Sequence, residues 1–183
     1  MKKHTFELTN RPAAISDDFL SITKIEAAER QLAHAIRMFF NGEDAVSIHT
    51  LASAAYQILI DICKAKEISR EIEDSAILEE LGVKKEFMNA LRIPQNFFKH
   101  AHDGEPDQTV RFKPLLSAYM LVSAAQYHYQ ITQYQLRECI VLRMWFYSRH
   151  PDRAPELMQP TLAAAELNST DLAYFARMLD RSN

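Results

Sequence analysis

Hydrophobic residues recur three and four positions apart along most of the chain, the spacing that places side chains on one face of an α-helix. The first run covers about Ile22 to Phe40 and is followed by Asn41-Gly42, a pair typical of residues that end a helix. A second run covers about Ala45 to Glu67, with Asp44 at the N-cap position. Because so few residues separate the two runs, we expect an antiparallel helical hairpin.

Three further main helices are predicted after this hairpin. One begins at Lys84, reaches about Ala101 and contains Pro94, which predicts either a kink or the start of a new helix. Pro114 opens the next, over about Leu115 to Ile131, and the fifth covers Gln133 to His150. The acidic stretch 67–80 is interpreted as a short helix or ordered loop, and 102–114 as a loop.

The pattern as a whole predicts an all-α protein. We expect an up-and-down bundle of about five main helices at 22–150, preceded by an N-terminal arm at 1–21. Residues 151–183 are expected to form a C-terminal extension packed on the same domain, with short helices over about Thr161 to Leu167 and Asp171 to Asp180. Only 3 of 183 residues are glycine, which argues against a fold rich in tight β-turns.

Composition and charge exclude several classes of function. Hydrophobic residues make up 48% of the chain, enough for a core, and the net charge of −3 does not indicate a general affinity for anionic polymers. The three glycines cannot form a glycine-rich phosphate loop, so Rossmann and P-loop nucleotide binding are excluded. Cys63 and Cys139 lie far apart in apolar surroundings, which predicts reduced core thiols. We expect no cofactor.

The chain shows neither the pattern of a secretory signal nor that of a membrane span, which predicts a cytoplasmic protein that does not bind a membrane. No apolar run follows Met1 to His4, so no secretory signal is indicated. The longest nearly apolar stretch, Leu115 to Ala125, is shorter than the roughly 20 residues that span a bilayer.

The fifth predicted helix is apolar around most of its circumference, which is typical of a helix buried on more than one side. In a domain this small, that pattern predicts a homodimer formed through residues 133–150. The residues concerned are Leu136, Cys139, Ile140, Val141, Leu142, Met144, Trp145, Phe146 and Tyr147.

The two C-terminal helices superficially resemble a helix-turn-helix, but the second begins Asp171-Leu172-Ala173-Tyr174, without basic or amide side chains to read bases. We therefore expect no sequence-specific DNA binding. His34 and His49 lie singly on predicted helices and are interpreted as hydrogen-bonded core or cap residues.

A phosphate site is predicted near the end of the third main helix. Asn96 and His100 are four residues apart and share a helical face, with Lys99 on the neighbouring flank. An amide, an imidazole and an ammonium group together could bind a phosphate, and histidine can act as a general acid or base. His100 and His102 are two residues apart and point in different directions on a helix, so no metal site is expected.

This stretch and the helical pattern around it resemble the HEPN superfamily. That family carries an arginine, then a polar residue, then a histidine late in a helix. Asn96 and His100 fall on the polar residue and the histidine, whereas Gln95 stands where the arginine belongs. The nearest arginine is Arg92.

The resemblance implies a homodimer that cleaves RNA without metal, or that only binds RNA or a nucleotide. His100 and Asn96 are then the catalytic candidates, and Arg92, Gln95, Lys99 and His102 the phosphate-binding ones. Because Gln95 has an amide where the family has a guanidinium, the site lacks a positive charge and a pair of parallel hydrogen bonds to the phosphate. This difference predicts weak or lost endoribonuclease activity. The alternative is a non-catalytic helical module for protein–protein interaction.

Overall fold

The computed structural model describes residues 19–69, 82, 84–100, 104, 106–156, 159, 165 and 167–180. Within these ranges the chain forms six α-helices and no strand, which confirms the all-α prediction. Most of the predicted arm, of the acidic stretch and of the helix at Thr161 to Leu167 lies outside the described residues. The helices are α1 (Lys24–Phe40), α2 (Ala45–Ala65), α3 (Lys84–Phe97), α4 (Leu115–Thr132), α5 (Arg137–Arg149) and α6 (Leu172–Asp180), with a 3₁₀ turn at Pro151–Arg153.

The hairpin of α1 and α2 forms as predicted, because both helices carry side-chain caps. Thr23 and Glu26 form a capping box at the start of α1, in which each side chain pairs with the other residue's backbone N–H. At α2 the Asp44 carboxylate accepts a 2.8 Å hydrogen bond from the Ser47 backbone. Gly42 has a φ of +66° between them, a conformation that glycine adopts without steric cost.

The core lies where α4 packs against the α1–α2 hairpin. Helix α2 makes extensive contact with both α1 and α4, so its apolar face is covered from two sides. Large side chains from each of the three helices are fully buried there, which makes this interface the main apolar contribution to stability. They include Leu32, Ile36, Leu59, Met120, Leu121 and Tyr127.

Two predicted helix boundaries are wrong. Helix α3 continues through Pro94, which is buried, but it ends at Phe97 rather than near Ala101. Helix α5 begins at Arg137 rather than Gln133, because Gln133 has a φ of +61° and its left-handed conformation ends α4. The spacing of apolar residues shows neither the end of α3 at Phe97 nor the left-handed conformation of Gln133.

The apolar circumference of α5 is mostly covered within this chain. Helix α5 packs against α1, α4 and α6. The Trp145 indole N–H donates a 3.0 Å hydrogen bond to the Ser169 carbonyl, and its ring meets that of Phe39 edge-on at 4.9 Å. Ile140 is an exception, with 44% of its surface exposed. Most of the apolar side chains on α5 are thus buried within one chain, so their pattern does not by itself require a second subunit. The homodimer stays a prediction.

The helical pattern suggests that Arg37 faces solvent, but in the structure Arg37 also forms an ion pair. Its guanidinium binds the Glu138 carboxylate from Nη2 at 2.7 Å and from Nε at 2.9 Å. Glu138 is only 1% exposed, so the ion pair joins α1 to the start of α5 with its carboxylate buried. A third group, the exposed Asp180 carboxylate of α6, lies 3.5 Å from Arg37 Nη1.

Among the described helices, α2 is long and apolar enough to cross a membrane by length and composition, which the sequence analysis did not anticipate. Half of its apolar window is buried inside the bundle. The core helix of a soluble protein has the same properties, so this is weak evidence for a membrane span.

Candidate functional site

Two of the predicted phosphate-binding residues line one polar pocket between α2 and α3. Arg92 and Gln95, one helical turn apart on α3, face three polar residues of α2 across a cavity of about 210 Å³. Those residues, Gln57, Asp61 and Lys64, are spaced four and three positions apart and so share a helical face. The other described residues of the lining are Tyr56, Ile60, Met88, Leu91 and Met120.

The charges of this pocket favour an anion by a small margin. Among the described residues of the lining, Lys64 and Arg92 are positive and Asp61 is negative, which gives them a formal charge of +1. The Gln57 amide donates a 2.9 Å hydrogen bond to the Asp61 carboxylate and so partly satisfies it. Both cations are exposed, so their charged groups are accessible to a ligand at the pocket mouth.

The other predicted site residues lie at the exposed end of α3, beside this pocket rather than in its lining. Asn96, Lys99 and His100 are all exposed. The Asn96 carbonyl accepts hydrogen bonds from the backbone N–H groups of Lys99, at 3.2 Å, and His100, at 3.0 Å, so a hydrogen-bonded turn follows the end of α3. Asn96 lies in the last turn of α3 and His100 three residues beyond its end, so the helical face that the sequence analysis expected them to share stays a prediction. His102 lies outside the described residues.

The chain matches no known protein-family model, no curated protein and no solved structure. The HEPN resemblance therefore stays a prediction. Any function has to be argued from the chemistry of the side chains themselves.

A buried hydroxyl–imidazole pair joins α2 to α4, and sequence reasoning missed it. His49 is fully buried, and its Nδ1 lies 3.0 Å from the Ser117 Oγ. Its ring is held edge-on by Phe112, at 4.8 Å, and by Phe98, at 5.8 Å. The sequence analysis expected a hydrogen-bonded core or cap residue at His49 but did not identify its partner, and Ser53, one helical turn away, donates its hydroxyl to the backbone carbonyl of His49 instead. A partner 68 residues away cannot be read from helical spacing.

The environment of His49 keeps its imidazole neutral. Burial lowers the His49 pKa, because the charged form loses its hydration. The Leu91 backbone opposes this by raising the pKa, and the nearby positive charge of Lys99 lowers it further. A neutral imidazole has one acceptor nitrogen, so His49 can receive a hydrogen bond from the Ser117 hydroxyl.

A second buried pair joins α1 to α4. The Glu29 carboxylate lies 2.9 Å from His128 Nε2 and also accepts a hydrogen bond from the Tyr134 hydroxyl. Glu29 and His128 are 2% and 0% exposed. Nothing in the helical pattern marks Glu29 as a core residue, so this pair was also missed. Its position between packed helices gives it a structural role.

The cysteines and the acidic residues offer no metal site in the part of the chain that the structure describes, where no cluster of three or more potential ligands occurs. Cys63 and Cys139 are buried and not joined in a disulfide, as predicted. Burial raises the pKa of Cys139 to about 12, with the nearby Glu138 charge acting in the same direction. The thiol is therefore protonated at neutral pH and a poor nucleophile.

Proposed function

We propose that this protein binds phosphate groups of RNA or of a nucleotide in the pocket between α2 and α3. The observation that supports the proposal is that Arg92 and Gln95 share one pocket with Lys64. A guanidinium group can bind two phosphate oxygens at once, an ammonium adds a point charge, and an amide donates a neutral hydrogen bond. Together these groups suit one phosphate and its ester oxygens.

The arrangement favours an oligonucleotide over a single phosphate. From Arg92 to Phe97, where α3 ends, the chain advances roughly 7.5 Å along the helix axis, at about 1.5 Å per residue. Lys99 and His100 are exposed at the far end of this path. A strand whose phosphate binds at Arg92 would thus carry its neighbouring nucleotides past Lys99 and His100.

The finer parts of the proposal follow from the HEPN resemblance. A cytoplasmic homodimer would bring two such paths together, with His100 transferring a proton at the scissile bond and Asn96 as its polar partner. Gln95 cannot supply the charge of the arginine that the family carries, and loss of one such contact costs on the order of a hundredfold in rate. We therefore propose RNA binding with weak or lost metal-independent endoribonuclease activity.

A protein-interaction module, the alternative reading, rests on the apolar character of α5. Because the Trp145 and Phe39 rings and their neighbours cover most of that surface within the chain, we do not advance it as a second proposal.

Fluorescence anisotropy with a labelled single-stranded RNA tests the binding proposal. We expect Arg92→Gln and Lys64→Gln each to weaken binding several-fold, and each to reduce the slope of log affinity against log salt by about 0.7. Lys85→Gln is the matched control, because Lys85 is an exposed α3 lysine outside the pocket lining. Competition by adenosine monophosphate separates a nucleotide site from an oligonucleotide site. Equal losses in all three variants would contradict the pocket assignment.

Cleavage is tested separately, on a labelled RNA pool in EDTA. If the protein cleaves RNA, we expect His100→Ala to abolish the activity while changing the free energy of unfolding by less than about 1 kcal/mol, since His100 is exposed. A variant that cleaves as well as the parent would remove His100 from the proposed mechanism. If the parent protein does not cleave RNA, the proposal of a weak nuclease activity is wrong, and the anisotropy measurement still tests whether the protein binds RNA.

A further inference from the structure

A second, larger pocket lies at the opposite end of α2, where the ends of five helices meet. Its volume of about 360 Å³ falls within the range of small-molecule sites, roughly 300–1,000 Å³. The end of α1, the starts of α2, α4 and α6, and the end of α5 all contribute to it. None of the described residues that line it also lines the α2–α3 pocket.

The walls of this pocket are mainly apolar and well anchored. The Phe39 and Trp145 rings contact each other edge-on, and the hydrogen bond from the Trp145 indole to the Ser169 carbonyl fixes the indole plane. Because these aromatic walls are already rigid, their side chains lose little conformational entropy when a ligand binds. Ile48, Leu115 and Leu172 supply the remaining large apolar surface.

A few polar groups converge on this apolar space. Ser117 is among the lining residues, and the Ser117–His49 hydrogen bond holds its hydroxyl in place. Glu43 and Arg149 are the two charged side chains among the lining residues that the structure describes, so these residues carry no net formal charge. Both side chains are exposed, whereas the aromatic walls are covered, which gives the pocket an apolar interior and a charged mouth.

We propose that this pocket binds a small monocarboxylic acid, with its carboxylate at Arg149 and its apolar body against Phe39 and Trp145. Arginine matches the geometry of a carboxylate through two parallel hydrogen bonds. Glu43 repels any anion at the same mouth, and it repels a doubly charged phosphate more strongly than a carboxylate. A ligand with one negative charge to pair with Arg149 and an apolar body therefore fits this pocket better than a dianion.

Calorimetry with 3-phenylpropionate and its neutral amide tests the proposal. We expect the acid to bind roughly tenfold more tightly than the amide, which corresponds to one exposed charge-assisted pair. Arg149→Gln should reduce acid binding to the level of the amide and leave amide binding unchanged. Arg153→Gln is the matched control, because Arg153 is an exposed arginine four residues further on, outside the lining.

Each other result would overturn the assignment. Absence of acid binding at millimolar concentrations, equal binding of acid and amide, or a preference for phenethylamine would each show that Arg149 does not select a carboxylate here. An equal loss in Arg149→Gln and Arg153→Gln would show a general charge effect. Because Arg149 is exposed, its replacement should leave the fold intact, which a thermal melt of each variant checks. The α2–α3 pocket can be tested independently, since Arg92→Gln should not change acid binding.

Discussion

Replacing Arg37 by methionine is expected to destabilise the fold by about 3 kcal/mol, because it leaves the Glu138 carboxylate buried without a cation. Glu138 is 1% exposed and contacts Arg37 through two nitrogens, at 2.7 and 2.9 Å. The Arg37 side chain itself is 31% exposed, so some water reaches the site, and the expected cost lies at the lower end for broken buried pairs. Urea unfolding followed by Trp145 fluorescence measures the effect.

Two controls separate the buried charge from other consequences of this change. Asp180→Asn removes the exposed partner, which is 75% exposed and 3.5 Å from Arg37, and should cost about 0.5 kcal/mol or less. The double variant Arg37→Met with Glu138→Leu should recover most of the loss, since no buried charge remains. If Arg37→Met costs no more than Asp180→Asn, the buried pair does not stabilise the junction of α1 and α5.

Replacing Phe175 by alanine is expected to cost about 3–5 kcal/mol, the range for deleting a buried aromatic side chain. Phe175 is fully buried, and its ring stacks on that of Phe40 with centroids 5.5 Å apart. Helix α6 has only 9 residues, too few to be stable in water without tertiary packing. The loss should therefore fall most heavily on the attachment of α6 to α1 and α5.

Urea unfolding gives the total cost, and hydrogen exchange of the α6 amides shows where it falls. Phe175→Leu keeps most of the apolar volume and should cost no more than about 1.5 kcal/mol. Exchange should accelerate in α6 first and remain slow in α2, whose Leu59 and Ala55 are fully buried. If Phe175→Ala and Phe175→Leu unfold at the same urea concentration, the stacked ring does not hold the C-terminal helix in place.

The local elements were predictable because their signals lie close together in sequence. Asp44 marks the start of α2, and Asn41 with Gly42 marks the turn before it, as the structure shows. These are interactions between residues a few positions apart, which the chain encodes whatever surrounds them. The end of α3 was misjudged because apolar spacing continues beyond Phe97 while the helix does not.

The candidate sites were predictable only in part. Arg92, Gln95 and Asn96 stand close together in sequence, so their proximity on α3 follows from helical geometry. Lys64, which shares the α2–α3 pocket with Arg92, comes from another helix. Around the larger pocket, Ser117 and Arg149 likewise lie beside residues that are far away in the chain. No rule of sequence spacing could have predicted that these residues line one pocket.

By itself, the sequence determined the all-α class, the α1–α2 hairpin and the buried, reduced state of the two cysteines, because helical periodicity and caps act within a few residues. Tertiary packing decided which polar groups are buried and with whom. Glu29 meets His128 across 99 residues, His49 meets Ser117 across 68, and Arg37 meets Glu138 across 101. A buried polar side chain needs its partner nearby, and only the packing of distant helices brings these partners together.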